Sequence, residues 1–405
     1  MPNSSKNVLI VGHVWPEPES SAAGTRMLQL IELFQENRYT VTFASTAQRS
    51  DNSATLEIAQ LSIVLNCDSF NARLVKLQPS IVVFDRFMTE EQFGWRVADV
   101  CPTAIRILNT EDLHCLRRSR QLSVSKPDDA KIDVVDEDLT LREIASIYRS
   151  DLTLAVSNFE INLLKTEFNI ESSLLLYLPI FASPQERVKS FADRKDFMFI
   201  GNFLHKPNFD AVHYLKSKIW PIIRQELAVK LHIYGAYMPQ SIMDMIDVRS
   251  GFIVHGRAES SREVIESARA MLAPLRFGAG IKGKLLESMQ CGTPSVTTTI
   301  GSEGIGDGSR WNGYISDDPD WFAAAATQLY TDEGKWLSAQ ENGYEILIEG
   351  FDRRLFTDLF RETIQKLEAN LGHHRSRNFI GRMLNHHSHR STEFMSRWIE
   401  LKNKQ

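Results

Sequence analysis

The chain has 405 residues, more than one hydrophobic core usually supports, so we expect two domains and exclude a single small binding module. Hydrophobic residues make up 43% and charged residues 24% of the chain, which excludes a disordered protein and a coiled coil. The net charge of −5 lacks the basic excess of nucleic-acid-binding proteins, and we expect no nucleic-acid partner.

The cysteines and apolar runs predict the compartment. Four cysteines are spread along the chain without a CxxC pair, which is typical of reduced thiols in the cytosol. The apolar run at residues 8–11 is too short for a signal sequence, and no run reaches the ~18 apolar residues of a membrane span. We therefore expect a cytoplasmic protein.

The first half alternates short apolar strands with helices. Continuous apolar runs, rather than alternating ones, are typical of parallel strands buried on both faces. Such runs occur at residues 8–12, 39–45, 81–84, 104–108 and 151–157, with a helical pattern at 25–37 after the first. Residues 1–180 are therefore predicted to form a Rossmann-like α/β domain.

A polar, proline-bearing stretch at 181–196 is typical of a linker between compact units. The strand-then-helix rhythm restarts beyond it, so residues 197–350 are predicted to form a second Rossmann-like domain. Two such domains facing one another leave a cleft. A C-terminal helix is predicted at 351–371.

Residues 372–405 differ from the rest and form a basic, histidine-rich tail. The tail carries a net charge of +5 in a chain whose remainder is −10, and its histidines lack metal-ligand spacing. Phe379, Met383, Phe394 and Trp398 lie among its basic residues. This pattern predicts an amphipathic helix that binds an anionic membrane or a partner. A solvated helix, or one packed on the first domain or a second subunit, is equally consistent with it.

The segment at 274–305 is the most informative. Three glycines, Gly278, Gly280 and Gly283, separate a predicted strand from a predicted helix. Backbone N–H groups at such a helix start can face a diphosphate, and Lys282 and Lys284 add positive charge there. Glu287 lies close enough to the helix start to reach a ribose. Taken alone, however, such a glycine loop is better explained by tight strand–helix packing, with the lysines in solvent.

The sequence FGAGIKGKLLESMQCGTPSVTT, followed by GSEGI, together with FIGNFLHKPNFDAV at 199–212, resembles the C-terminal half of family 4 glycosyltransferases. These are the retaining group 1 transferases with a GT-B fold. In the first half, ILNTEDLHCLRRSR at 107–120 resembles a D-x-x-D-L-H-x-x-R stretch of some members, with Asn109 in place of the leading aspartate.

The resemblance implies a GT-B protein with two Rossmann-like domains facing across a cleft. It implies a hexosyltransferase-type enzyme of polysaccharide biosynthesis that retains anomeric configuration and needs no metal. The donor would be a nucleotide sugar, most simply a UDP-sugar. The acceptor would be a glycan, a lipid-linked molecule or a protein, and a tail at the inner membrane surface would suit a lipid-linked one.

The resemblance also implies roles for the glycine-lysine segment. Glu287 matches the last glutamate of the family's E-x7-E motif, which holds the ribose hydroxyls. The first glutamate would fall at Ala279, so the donor sugar is expected to contact the backbone amides of Gly280, Ile281 and Lys282.

The loop GNFLHKPN resembles the family's diphosphate loop, with Asn202 at the usual arginine and Lys206 one residue early. Lys206 is therefore the predicted diphosphate ligand, with Lys284 or Lys282 as its partner, because cations stabilise a departing diphosphate. By the same resemblance, the nucleotide site also includes Gly201, Gly256 and Arg257.

Residues of the first domain complete the predicted site. His114 resembles the family histidine that hydrogen-bonds the donor sugar, and with Lys206 and Lys284 it forms the predicted catalytic set. Asp112 and Arg117 are expected on the acceptor side. Gly24 resembles a glycine that approaches the donor phosphates.

Two D-x-D sequences, at 136–138 and 318–320, match the metal motif of other transferases. Both open helical stretches, where acidic residues complement the helix dipole, so we expect no metal site. Two alternative functions stay open. One is a nucleotide-sugar epimerase on the same fold, which needs extra acid/base carboxylates in the cleft. The other is a non-catalytic GT-B module that stabilises a partner transferase.

Overall fold

A computed structural model of the protein describes residues 6–125, 138–306 and 310–403. The first domain is built on a parallel sheet with the strand order β3-β2-β1-β4-β5-β6-β7 in the described residues. The strands are β1 Lys6–Gly12, β2 Tyr39–Ser45, β3 Ala59–Ser62, β4 Ile81–Asp85, β5 Ile105–Asn109, β6 Leu152–Ala155 and β7 Leu175–Tyr177. The helices are α1 Ala22–Glu36, α2 Ser69–Leu77, α3 Phe87–Val100, α4 His114–Ser125, α5 Asp138–Arg149 and α6 Asn158–Thr166.

Both faces of this sheet are buried, as the continuous apolar runs predict. Successive side chains of a strand point to opposite faces. In β1, Val8 and Ile10 therefore join one hydrophobic cluster, while Leu9 and Val11 join another on the opposite face. The doubly covered parallel sheet confirms the predicted α/β fold class.

The second domain has a parallel sheet with the order β10-β9-β8-β11-β12-β13 in the described residues. Its strands are β8 Lys195–Ile200, β9 Leu231–Tyr234, β10 Phe252–Gly256, β11 Ala268–Ala273, β12 Ser295–Thr297 and β13 Gly313–Ile315. Its helices are α7 Lys206–Tyr214, α8 Trp220–Glu226, α9 Gln240–Met243, α10 Ser261–Ser267, α11 Gly283–Gln290, α12 Thr299–Ser302, α13 Pro319–Thr331 and α14 Glu333–Gly350. A π-helical turn, Leu215–Ile219, joins α7 to α8.

The chain then crosses back to the first domain through α15, Arg354–Arg377. Phe356, Phe360, Ile364 and Leu367 of α15 enter the first domain's core, where the Phe360 and Phe34 rings lie 5.2 Å apart. The helix was expected to end at residue 371. It bends at Asn370 and continues because Arg375 forms an ion pair with the buried Asp151 at 2.7 Å.

The tail forms a further helix, α16 Phe379–Asn403, which packs against α3 and α5 of the first domain. Of the arrangements considered for the tail, the structure therefore shows the one in which it packs on the first domain. None of the helices in the three described ranges combines the length and the apolar character needed to cross a membrane.

Candidate functional site

The loops that follow the strands of the two sheets face one another and form the cleft. Gly280 follows β11, and a β-carbon on it would lie 2.8 Å from Asp112 Cβ, in the loop after β5. Gly280 has a φ of +63°, which suits glycine, and this conformation permits the close approach. The carboxyl ends of parallel strands are where open α/β sheets place their ligands.

Hydrogen bonds hold the two domains together at this point. The Gly280 amide donates to Glu160 Oε1 at 2.8 Å, so one of the three amides predicted to bind the donor sugar is already occupied. Arg120 donates to both carboxylate oxygens of Glu303 and to the Gly278 carbonyl oxygen, at 2.7 to 2.9 Å. The cleft is therefore closed at this end.

Lys284 lies in the first turn of α11 and points towards the first strand of the second domain. Its Nζ donates to Asn208 Oδ1 at 2.6 Å and lies 4.0 Å from the centre of the Phe199 ring. A β-carbon on Gly201 would come within 2.8 Å of that Nζ, so a larger residue at 201 would displace the lysine side chain. Burial lowers the pKa of Lys284 to about 7. The structure thus brings together the predicted Gly201 and Lys284.

Lys282 takes a different direction from Lys284. Its Nζ donates to the Gly280 carbonyl oxygen at 2.9 Å, which fixes the glycine loop. Burial lowers the pKa of Lys282 to about 8, while the carboxylate of Glu303 opposes the shift. Ile281, the residue between Gly280 and Lys282, packs against the apolar cluster beneath α11.

On the first-domain side, Asp112, His114 and Arg117 form one cluster, as their spacing predicts. Arg117 forms an ion pair with Asp112, and His114 Nε2 lies 3.5 Å from Asp112 Oδ1. Burial lowers the pKa of His114 to about 4, although Asp112 acts in the opposite sense. A neutral imidazole at this place can accept or donate a hydrogen bond to a sugar hydroxyl.

Three cleft residues were missed by the sequence analysis: His13, Arg86 and His205. Arg86 precedes α3 with a φ of +71°, and its Nε has no hydrogen-bond partner among the described residues. Desolvation and then the positive charge of Arg86 lower the pKa of His205 to about 4, and the same two causes lower the pKa of His13. Their position in the sequence could have identified two of them, because His13 and Arg86 directly follow strands β1 and β4.

The residues predicted to bind the diphosphate are arranged unequally. Lys206 is exposed at the first position of α7. The residue before it, His205, lies close enough to Arg86, Asp112 and Lys284 for their charges to act on its imidazole. Asn202 crosses the cleft, where its Nδ2 donates to the Ser20 carbonyl oxygen at 3.4 Å. Lys206 stays a prediction, and Lys284 has the better position.

Glu287 lies one turn further along α11 than Lys284. It accepts a hydrogen bond from the Ser261 hydroxyl, and burial together with the negative charge of Glu19 raises its pKa. Gly256 ends β10 with a φ of +83°, and Arg257 after it is exposed. The carboxylate is thus held by α10 and faces a loop of the first domain.

Gly24 and the D-x-D sequence at 318–320 have local structural roles. The Gly24 amide donates to Ser21 Oγ, the N-cap of α1, and Ala22 is the residue of this turn that approaches Gly283 across the cleft. Asp318 accepts bonds from the backbone at the start of α13, as expected for a helix cap. Asp136 and Glu137 lie outside the described residues.

A buried polar group supports the cleft floor from below. Arg26 Nε donates to Asn109 Oδ1 at 3.0 Å, and Asn109 Nδ2 donates to Glu111 at 2.6 Å and to Asp85 at 3.3 Å. Burial raises the pKa of Glu111 to about 7, against the effect of Arg26. Asn109, which replaces the family's aspartate, therefore bridges two carboxyl groups that an aspartate would repel.

Comparison with known proteins agrees with this geometry. Residues 194–332 match the family of glycosyl transferases group 1. This match covers most of the second domain. An uncharacterized 44.6 kDa protein in the cps region of Klebsiella pneumoniae is 24% identical over 174 residues, which cover 41% of this chain and 45% of that protein. The match thus spans less than half the length of this curated relative.

Solved structures resemble the fold of both domains. Sucrose-phosphate synthase from Thermosynechococcus elongatus superimposes with a TM-score of 0.70 at 13% identity, covering 90% of this chain and 99% of that one. HepE from Anabaena, in complex with UDP and glucose, gives a TM-score of 0.65 at 12% identity, covering 89% and 100%. These likenesses confirm the GT-B fold.

The low pKa of Lys284 gives the second domain a testable pH dependence. If Lys284 binds the diphosphate of UDP, it does so in its ammonium form, so UDP affinity should fall as the pH rises above about 7, approaching tenfold per pH unit. His114 and His205 stay neutral in this range and do not contribute. Calorimetric titration of UDP at several pH values measures the slope.

The matched control is Lys284→Arg, whose guanidinium stays charged throughout this range. Lys282 also titrates with a lowered pKa but is present in both proteins. The same slope in both proteins would show that Lys284 does not hold the diphosphate.

Proposed function

We propose that this protein transfers a sugar from a nucleotide sugar, with UDP as the nucleotide, to a glycan, lipid-linked or protein acceptor. The proposal includes retention of anomeric configuration and no requirement for a metal. The observation that carries it is the position of Lys284, a lysine at a helix start that faces the cleft beside Asn208 and below Gly201. The UDP and glucose complex of HepE and the cps-region relative support the choice of donor and of a glycan acceptor.

The cleft supplies the cations that such a reaction needs. When the bond between the sugar C1 and the donor phosphate oxygen breaks, negative charge develops on the departing diphosphate. Lys284 and Arg86 face this region, and preorganised positive groups stabilise such charge strongly where water is excluded. The N-terminus of α11 adds amide dipoles.

Retention follows from attack on the face from which the diphosphate departs. The acceptor oxygen bonds to C1 on that face, and its proton passes to the departing phosphate oxygen, so no protein nucleophile is needed. His114 would hydrogen-bond a donor sugar hydroxyl, and Asp112 and Arg117 would shape the acceptor side. Glu287 would hold the ribose. The free cysteines of the described residues agree with a cytoplasmic location, which we include in the proposal.

One experiment tests donor class and metal independence together. In EDTA, UDP should raise the melting temperature more than GDP, ADP or dTDP, by the amount that binding to the folded state confers. Release of UDP from a UDP-sugar should continue in the same buffer, because side-chain cations and helix-start amides replace a metal. Activity that is lost in EDTA and restored by manganese would contradict the metal-independent proposal.

The second candidate is a nucleotide-sugar epimerase, and one residue favours it. Burial raises the pKa of Glu160 to about 8, and its Oε2 has no partner among the described residues. This carboxyl group lies beside the Gly280 loop and could donate a proton to a departing group. Conversion of a UDP-sugar to its epimer without acceptor would favour this candidate over the transferase. A third alternative, a non-catalytic partner module, predicts neither reaction.

A further inference from the structure

Helix α16 packs on the first domain through its polar side. Arg106 donates to Asn385 Oδ1 at 3.1 Å, and Arg96 donates to Ser396 Oγ at 3.1 Å and forms an ion pair with Glu400. Ser396 and Glu400 are buried. The spacing of 385, 392, 396 and 400 defines one helix face, so the face that meets the protein is a polar one.

The opposite side of α16 is apolar and exposed. Each large apolar residue on this side has 43% to 69% of its surface exposed to solvent. These residues are Phe379, Ile380, Met383, Phe394, Met395, Trp398 and Leu401. A helix that packs on a soluble domain normally buries such residues and exposes its polar ones. The reversed arrangement indicates that the apolar side has an occupant outside this chain. We call this side the outer face of α16.

The charges of α16 identify the chemistry of that occupant. Arg390 and Arg397 lie on the outer face, four residues before Phe394 and Leu401 respectively, and Lys402 lies 5.1 Å from the Trp398 ring centre. Both acidic residues of the helix are already paired, Glu393 with Arg397 and Glu400 with Arg96. The outer face therefore combines bulky apolar side chains with a positive charge excess.

We propose that the outer face of α16 binds the surface of an anionic lipid bilayer, with its aromatic side chains in the interface and its arginines at the headgroups. Amphipathic helices of this composition lie in the membrane plane. A second copy of the chain fits less well, because a twofold contact through this face would bring two positively charged faces together.

The attachment of α16 sets which part of the protein would face the membrane. The helix contacts α3 and α5 of the first domain, the domain whose rim carries Asp112 and Arg117. Its C-terminal part lies beside Arg96, which also pairs with Asp68 just before α2. Membrane binding would thus hold the proposed acceptor domain at the bilayer, within reach of a lipid-linked acceptor.

The test is sedimentation of the full chain with vesicles of phosphatidylcholine, with and without phosphatidylglycerol. We expect binding to the anionic vesicles only, weakening as salt rises. Arg390→Gln and Arg397→Gln should each lower the affinity about fivefold, and the double variant Phe394→Ser/Trp398→Ser should abolish binding. No substrate is needed, so the result is independent of the proposed catalytic function.

Matched control variants distinguish binding through the outer face of α16 from nonspecific binding of the protein to vesicles. Trp321→Ser removes a tryptophan of α13 in the second domain that is more exposed than Trp398, and Arg361→Gln with Lys366→Gln removes exposed charges from α15. These variants should bind as the natural sequence does. Equal binding to neutral vesicles, or binding that the α16 variants leave intact, would overturn the proposal. So would a stable dimer by light scattering that binds no vesicles and dissociates in the Phe394→Ser/Trp398→Ser variant.

Discussion

Replacing Lys284 with methionine should lower sugar transfer by about two to three orders of magnitude, the usual effect of removing one preorganised donor to developing negative charge. Methionine keeps most of the side-chain volume over the Phe199 ring, so the fold should remain stable. The measurement is kcat with saturating UDP-sugar, because the charge acts most strongly on the departing diphosphate.

Two further lysine variants serve as a control and a comparison for Lys284→Met. Lys218→Met changes an exposed lysine of the same domain and should have no effect. Lys206→Met tests the lysine that the sequence favoured, and its exposed position predicts a smaller loss than for Lys284. Equal losses at 206 and 284 would show that Lys206 turns into the cleft when the donor binds. A normal kcat for Lys284→Met would remove Lys284 from the catalytic set.

Glu287→Ala should weaken UDP binding about tenfold to a hundredfold, because a charge-assisted hydrogen bond contributes about 1.5–3 kcal/mol. The carboxylate is fixed by Ser261 and partly sheltered, which favours a strong bond to ribose hydroxyls. Calorimetric titration with UDP, and with a ribose phosphate that lacks the uracil base, measures how much binding free energy Glu287 contributes at the ribose.

The control for Glu287 is Glu341→Ala, which removes an exposed carboxylate from α14. Both variants should melt close to the natural protein, since neither side chain belongs to a hydrophobic core. An unchanged UDP affinity in Glu287→Ala would place the ribose elsewhere in the cleft.

Local patterns in the sequence were sufficient for the fold class and for part of the site. Continuous apolar runs such as residues 8–11 require burial on both sides, and this specifies a covered parallel sheet. Lys284 and Glu287 could be placed because glycine, lysine and helix start lie within a few residues of one another. In that range, chain geometry alone determines which side chains are neighbours.

The features that the sequence did not predict depend on distant parts of the chain. Arg86 enters the cleft because its backbone has a positive φ at the end of β4, which no local pattern of that segment signals. His205 is the N-cap of α7 and has extended backbone angles, whereas Lys206 is the first helical residue, so the two side chains leave the backbone in different directions. The polar inner face of α16 could not be assigned without α3 and α5.

The return of α15 to the first domain determines when that domain can finish folding during synthesis. Its core includes Phe356, Phe360, Ile364 and Leu367, which leave the ribosome after every strand of the second domain. The core of the second domain contains no residue of α15. Its two hydrophobic clusters end at Ala339, behind β8, and at Phe351, behind α11. We therefore expect a chain that has emerged from the ribosome as far as residue 353, just before α15, to carry a protease-resistant second domain and a protease-sensitive first domain, although the first is translated earlier.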